Sequence, residues 1–214
     1  MRLVVRCFRM SIWPRLRGCL AASVLLGLSL SATPASAVTH CEGYNYEEFS
    51  SMSQADKVQW FTDELAQCEN EGTQVAAYNN RGLAYYELGE FDRALEDYSQ
   101  AIALDPDYAY AYFGRAYTYY ELGRNDEAIA DFDQALALDP TYTEGYSGRA
   151  AAECLQSEPR TQRALEDILT LIQREPQWAI DWQAYLSEEG YYTGPISGDF
   201  DEASQEAFSA WCNS

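Results

Sequence analysis

The side chains best suited to acid–base and nucleophilic chemistry are nearly absent from this 214-residue sequence. It contains a single histidine, His40, and a single lysine, Lys57. Ser/His/Asp and Cys/His catalysis both need a histidine base, and His40 stands alone. Neither a phosphate-cradling GxxxxGK[ST] loop nor an HExxH motif is present. These absences predict a protein that is not an enzyme and binds no cofactor.

Carboxylates are the one reactive group in excess, with 34 aspartates and glutamates against 14 basic residues. Composition alone therefore leaves a glycosidase-like carboxylate pair open. However, Asp131, Asp133 and their neighbours fall on the repeat helices predicted below, where a solvated face or a salt bridge is the usual role. The acidic surface favours solubility and repels phosphate backbones and anionic lipids. We therefore expect neither nucleic acid nor a membrane surface as partner.

The first 37 residues have the three-part layout of a secretory signal peptide. Five arginines and no acidic residue precede the apolar run CLAASVLLGLSL, and Ala35-Ser36-Ala37 forms a small-x-small cleavage site before Val38. A transmembrane anchor would need roughly 18 apolar residues, more than this run offers. We expect export across the inner membrane, with no stable membrane anchor after cleavage. Removing the five arginines takes the formal net charge from −20 to −25.

Four cysteines remain after the predicted cleavage site: Cys41, Cys68, Cys154 and Cys212. Export makes disulfides plausible, whereas the lack of a CxxC spacing and of further histidines argues against a metal site. Three pairings are open. We expect Cys41–Cys68 and Cys154–Cys212, because each joins segments that should lie close together in the helical architecture described next.

A period of 34 residues runs through the middle of the chain. The segment YNNRGLAYYELGEFDRALEDYSQAIALDP (78–106) aligns with YFGRAYTYYELGRNDEAIADFDQALALDP (112–140), and a looser third copy ends at Pro176. This pattern resembles the tetratricopeptide repeat. The resemblance implies an all-α solenoid of helical hairpins with three repeats over residues 75–176, at about 75–108, 109–142 and 143–177.

Before and between the repeats, individual residues predict where helices begin and end. An amphipathic helix over Gln54–Gln67, within a capping segment 38–74, can cover the exposed face of the first repeat, as terminal repeats require. Gly89 and Gly123 should end the first helix of their repeats, because a left-handed residue is tolerated best by glycine. Asp-Pro then stops each of the first two helical pairs.

Each repeat carries an arginine in its first helix and an aspartate in its second. The arginines could bind an anionic ligand. A salt bridge within each repeat is the favoured interpretation, because the two parallel N–H groups of a guanidinium match the two oxygens of a carboxylate. The predicted pairs are Arg81–Asp97, Arg115–Asp131 and Arg149–Asp167.

A stack of such repeats generally offers a concave surface lined by the first helices. Beside the core face, the first two repeats place aromatic and acidic side chains without lysine or arginine, which suits an extended partner segment with apolar or basic side chains. Packing between neighbouring repeats is the alternative role for the tyrosines. The predicted groove residues are Asn79, Leu83, Tyr86, Glu87, Phe113, Tyr117, Tyr120 and Glu121.

The segment 178–214 predicts a helix, a tight loop and a second helix capped by Asp201. It resembles the peptidoglycan-binding module of bacterial wall hydrolases through Gln183, Leu186, GYYTGPISGDF (190–200), Ala207 and Phe208. By this resemblance Ile196 and Phe200 are structural, and the loop aromatics are candidates for wall contact. Apart from the resemblance, Tyr191, Ile196 and Phe200 are expected to be buried and to tie the loop to its flanking helices. The module residues singled out are Tyr191, Tyr192, Gly194, Ile196, Gly198 and Phe200.

That module departs from its family pattern at Ser197, Asp201 and Ser204, and it can also serve simply as the C-terminal cap of the stack. The sequence therefore predicts a periplasmic, non-catalytic interaction scaffold of the cell envelope. It would bind a protein or peptide segment in the repeat groove and could be tethered to peptidoglycan. The alternative is a peptidoglycan anchor in which the repeats are only a platform.

Overall fold

The computed structural model describes residues 50–156 and 161–214, and within these ranges the regular structure is α-helical. The predicted signal peptide, His40 and Cys41 lie outside them. The described helices, in chain order, are α1 (Gln54–Gln67), α2 (Glu71–Leu88), α3 (Phe91–Leu104), α4 (Ala109–Glu121), α5 (Asn125–Leu138), α6 (Thr143–Cys154), α7 (Thr161–Arg174), α8 (Gln177–Glu188) and α9 (Glu202–Cys212). The all-α prediction is thus confirmed.

The described chain forms two compact units, residues 50–167 and 168–214, which join within α7. In the first unit α2 packs on α3 and α4 packs on α5, while α2 also contacts α4, and α4 contacts α6. Contacts within each pair and between successive first helices are what a stack of helical hairpins needs to bury a continuous core. The domain boundary predicted near Pro176 stays a prediction.

The helix ends follow the local signals in the sequence. Helix α1 has the predicted bounds, and the Ser53 side chain caps it by accepting from the Asp56 amide. Gly89 and Gly123 end α2 and α4 with φ of 77° and 73°. The next amide in each case reaches back to a tyrosine carbonyl at 2.9 Å, so the left-handed glycine satisfies helix-end acceptors.

In the first two repeats, an aromatic residue of the second helix packs against a glycine of the following repeat. A Cβ added to Gly82 would lie 3.1 Å from the Tyr98 ring, and one added to Gly114 in the next repeat would lie only 2.3 Å from it. Phe132 approaches Gly148 in the same way, at 2.5 Å. Glycine therefore sets the spacing of the stack, because any larger residue at 114 or 148 must displace a fully buried ring.

The second unit is built around Trp182, which is fully buried on α8. Its ring lies 5.1 Å from Phe208 and 5.6 Å from Trp211 of α9, and 5.8 Å from Tyr185, with the rings meeting edge to face. Aromatic pairs in this geometry add about 0.5–1.5 kcal/mol each beyond their buried area. This short unit thus has an aromatic core of its own.

Cys68, Cys154 and Cys212 are each disulfide-bonded. Because Cys41 lies outside the described residues, the Cys41–Cys68 pair stays a prediction, as does Cys154–Cys212.

Candidate functional site

Each predicted arginine–aspartate pair is present as a bidentate ion pair. Arg81 places Nε and Nη2 both 2.7 Å from the two carboxylate oxygens of Asp97. The corresponding distances from Arg115 to Asp131 are 2.7 and 2.8 Å. Those from Arg149 to Asp167 are 2.8 and 2.6 Å.

The third donor group of each arginine reaches a helix of the preceding pair. Nη1 of Arg81 donates to Thr62 on α1, and Nη1 of Arg115 donates to Ser99 on α3, both at 3.1 Å. In the third pair Nη1 of Arg149 donates to Asp133 on α5 at 2.6 Å. The capping helix α1 therefore supplies the contact that a preceding repeat supplies elsewhere.

Each guanidinium also lies over the ring of the tyrosine three residues earlier, at 5.6 to 5.8 Å from Tyr78, Tyr112 and Tyr146. We call this arrangement of arginine, aspartate, third partner and tyrosine the arginine clasp. Hydrogen bonding to Asp97 raises the pKa of Arg81, and hydrogen bonding to Asp131 raises the pKa of Arg115. Because all three donor groups are engaged within the stack, the clasps have a structural role rather than that of a site for an anionic ligand.

Four of the predicted groove residues are buried: Asn79, Tyr86, Phe113 and Tyr117. The ring centroids of Phe113 and Tyr142 are 4.0 Å apart. The Tyr117 hydroxyl donates to the Glu144 carbonyl at 2.7 Å. Tyr142 is the N-cap of α6 and Glu144 lies in its first turn, so both partners stand where the third helical pair begins. These side chains pack the stack together, which is the alternative role that the sequence left open for them.

The other four predicted groove residues remain partly accessible on the first helices: Leu83, Glu87, Tyr120 and Glu121. We call these four residues the inner strip. Burial, and secondarily the charge of Glu121, raises the pKa of Tyr120, so its hydroxyl stays neutral at physiological pH. Arg81 and Arg115, the arginines of α2 and α4, are held in clasps and leave the strip acidic.

The third helical pair holds a charged cluster that the sequence did not flag. Glu153 is fully buried and occupies the repeat position of Tyr85 and Tyr119. Arg163 Nη1 lies 3.1 Å from Glu153 Oε1, and Arg163 also pairs with Asp133. Burial raises the pKa of Glu153 to about 7, with Arg163 opposing the shift. Aligning the third copy residue by residue would have revealed this exchange of tyrosine for glutamate.

In the second unit, Gln183 organises the loop between α8 and α9. Its side-chain oxygen accepts from the Ser197 amide at 3.1 Å and the Gly198 amide at 3.0 Å. Its amide nitrogen donates to the Asp199 carbonyl at 2.7 Å and to Ser204 Oγ at 3.0 Å. The fully buried Gln183 therefore fixes the loop backbone from one side chain. Asp201 caps α9, as predicted, by accepting from the Ser204 amide at 2.9 Å.

The exposure of the loop side chains corrects two expectations. Ile196 is 51% exposed and Tyr191 is 36% exposed, so neither ties the loop to its flanking helices. Phe200 is buried as expected, and the second buried loop position is Tyr192, whose hydroxyl donates to the Pro195 carbonyl at 3.1 Å. A Cβ at Gly194 would meet that hydroxyl at 2.5 Å, and Gly198 has a left-handed φ of 81°. The backbone turn thus selects Tyr192 for burial and directs Tyr191 outwards.

Among the described residues, no helix combines the length and apolar character that a bilayer crossing requires. The same residues hold no group of three or more side chains suited to a metal ion.

Comparisons with known proteins agree with the helical stack. Residues 79–143 match the family model described as tetratricopeptide repeat. A crystal structure of MamA resembles the chain with a TM-score of 0.58 and 16% identity, over 78% of this chain and 88% of that one. MamA from Desulfovibrio magneticus RS-1 gives a TM-score of 0.57 and 13% identity, over 66% and 77%.

A third solved structure is the second TPR domain of human RPAP3 in complex with the HSP70 peptide SGPTIEEVD. It is 26% identical, with a TM-score of 0.49, over 54% of this chain and 98% of that one. No curated protein matches the chain significantly. The family match and the likeness to MamA show an all-α solenoid of tetratricopeptide repeats.

Proposed function

We propose that this tetratricopeptide-repeat chain is a non-catalytic interaction scaffold that holds an extended protein segment on the inner strip. Stacked repeats generate elongated surfaces suited to such segments. The observation that carries the proposal is the contrast among the eight predicted groove residues. Four are buried by packing between repeats. The other four, on neighbouring first helices, keep accessible surface: Leu83, Glu87, Tyr120 and Glu121.

The chemistry of the strip selects the side chains of its partner. Leu83 and the ring of Tyr120 favour apolar contacts, while Glu87 and Glu121 favour lysine or arginine. The two glutamates stand 34 residues apart, at the same position of successive repeats. An acidic partner would be repelled by these carboxylates and by the net charge of −20.

Site-specific photocrosslinking tests this surface. A photoreactive residue at 83 or 120 samples the strip, and one at 96 or 130, which are exposed on second helices, samples the outer surface. We expect one protein adduct common to positions 83 and 120 and absent from 96 and 130. Adducts formed equally at all four positions, or only at 96 and 130, would rule out the strip as the binding surface.

We propose a periplasmic location on the basis of the predicted signal peptide. Cleavage before Val38 should give a mature N-terminus of Val-Thr-His, and the protein should be released by osmotic shock. Amino-terminal sequencing and fractionation check both expectations. A chain that keeps its first 37 residues in the cytoplasmic fraction would contradict this location.

Peptidoglycan anchoring is the alternative function, supported by the module resemblance over residues 183–208 and by the hydrogen-bonded loop around Gln183. Incubation with purified sacculi tests it. An anchor should sediment with sacculi in a saturable manner and return to the supernatant after muramidase digestion. A chain that stays in the supernatant throughout is a scaffold without this tether.

A further inference from the structure

Among the described residues, exposed large apolar side chains are more frequent in the second unit than in the longer first unit. Five large apolar side chains are exposed, and three of them, Ile180, Tyr191 and Ile196, lie within 17 residues of sequence. Ile196 has the largest exposed fraction, 51%. Exposed apolar side chains grouped in one short segment of a small unit make that segment a candidate contact surface.

Tyr191 and Ile196 belong to one ordered loop, and Ile180 lies beside it. A Cβ at Gly198 would lie 3.1 Å from Ile180 Cγ1, so Ile180 of α8 touches the loop that carries Ile196 two residues earlier. Gln183, one turn along α8, holds the Ser197 and Gly198 amides. We call Ile180, Tyr191 and Ile196 the loop tip.

The hydrogen bonds beneath the tip fix its shape before any partner arrives. Gln183 bonds the backbone at Ser197, Gly198 and Asp199, and Tyr192 bonds the carbonyl of Pro195. A surface already ordered in this way loses little conformational entropy on binding. Exposed aliphatic side chains on such a loop therefore favour docking rather than simple loop mobility.

The net charge of the second unit indicates the charge of the partner. Residues 177–214 contain seven carboxylates and neither lysine nor arginine. Asp181 is next to Ile180 in sequence, and Asp199 follows Gly198. A second copy of the chain would bring the same negative charge and be repelled. We propose that the loop tip docks a cationic amphipathic segment of a partner protein, with apolar side chains on the tip and lysine or arginine beside the carboxylates.

This occupant differs from a wall glycan in what it requires of the surface. Sugar hydroxyls need hydrogen-bond partners, and a hydroxyl covered by an aliphatic side chain loses them. The two isoleucines of the tip offer no such partners. An amphipathic segment, in contrast, buries its own apolar face against the two isoleucines.

A designed 15-residue peptide of leucine and lysine, patterned as an amphipathic helix, is a suitable probe. Its affinity for the chain from Val38 onward is measured by fluorescence anisotropy, with Ile196→Ser and Tyr191→Ser as test variants and Leu122→Ser as matched control. Leu122 is a 39% exposed apolar residue of the repeats. We expect each tip variant to weaken binding about tenfold, as loss of an apolar anchor does, and Leu122→Ser to change it less than twofold.

Three results would overturn the proposal. Equal affinity in all four proteins would mean that the peptide responds to net charge alone. Sedimentation with sacculi that is lost in Ile196→Ser would make the wall the occupant. Thermal midpoints check that the exposed substitutions leave the fold intact. Because the inner strip also favours leucine and lysine, the titrations are repeated in a Glu87→Gln/Glu121→Gln background. A loss on Ile196→Ser that persists there reports the tip, and a loss that disappears there overturns the proposal.

Discussion

The second and third helical pairs solve the same packing problem with different chemistry. In the α4–α5 pair, Arg115 binds one carboxylate and one hydroxyl, and Tyr119 lies beneath Arg124 at 4.4 Å. In the α6–α7 pair, Arg149 binds two carboxylates, and Glu153 replaces the tyrosine with Arg163 as counterion. The third pair keeps the arginine–aspartate ion pair at the same repeat positions. It differs in having an additional buried carboxylate and its counterion where the second pair has a tyrosine.

The largest difference between the pairs should appear when the clasp aspartate is neutralised. Asp131→Asn leaves the partly buried Arg115 without its carboxylate, which should cost about 3 kcal/mol in the free energy of unfolding. Asp167→Asn should cost less, about 1.5 kcal/mol, because Arg149 keeps Asp133. Urea denaturation of both variants measures this order. Equal losses would show that Asp133 does not compensate in the third pair.

The next effect is a pH dependence that belongs to the third pair and the capping helix. Burial raises the pKa of Glu153 and of Glu64 to about 7. Between pH 4.5, the ordinary pKa of a glutamate carboxyl, and about pH 7, the folded chain therefore holds protons that the unfolded chain releases. Stability should rise as pH falls through this window, by on the order of 2 kcal/mol per group.

Matched variants assign that pH dependence. Glu153→Gln should remove part of the slope between pH 7 and pH 4.5, Glu64→Gln another part, and the double variant both. Chemical denaturation at several pH values provides the measurement. A wild-type stability that is flat or falls as the pH drops across the window would contradict burial of neutral carboxyl groups at these positions.

A smaller effect should follow from the third partner of the clasp. Ser99→Ala removes one hydrogen bond from Arg115 across the repeat interface and should cost about 1 kcal/mol. Thr62→Val tests the equivalent contact of Arg81 with α1. Similar losses in both would show that the capping helix acts as a preceding repeat, whereas a loss only at Ser99 would limit that role to true repeats.

The smallest effect is expected at Arg124, which lies exposed over the ring of Tyr119 in the second pair. Arg124 pairs with Glu127 at the surface, so Arg124→Gln should leave the thermal midpoint near that of wild type. At pH 8, where Glu153 is ionised, Arg163→Gln removes the counterion of this buried carboxylate and should lower the midpoint clearly. Reversal of this order would show that the charged cluster adds nothing to stability.

Periodicity explains which features could be predicted from the sequence. Arg115 and Asp131 recur 34 residues from Arg81 and Asp97, and two helices joined by a short turn must bring them together. The bounds of α1 and the left-handed Gly89 follow equally from local signals.

Features without such local signals could not be predicted in the same way. Phe113 and Tyr117 occupy the same helix face whether they meet a ligand or the next repeat, so only the packed stack reveals their burial. Tyr191 and Tyr192 are adjacent in an aperiodic loop, where the backbone turn decides which one is buried. A glutamate is usually exposed to solvent, so the sequence gives no sign that Glu153 is buried. Its burial depends on Arg163 in another helix.

A titration with a defined peptide tests the central claim, that the inner strip binds a basic and apolar segment, most directly. The probe is a 12-residue repeat of Lys-Leu-Pro, which proline keeps extended. Glu87→Gln/Glu121→Gln is compared with Asp92→Asn/Glu96→Gln, which removes the same charge from exposed positions of α3. We predict about tenfold weaker binding for the strip variant and near-wild-type binding for the control. Equal affinities in the two variants would contradict the assignment of the inner strip as the binding surface.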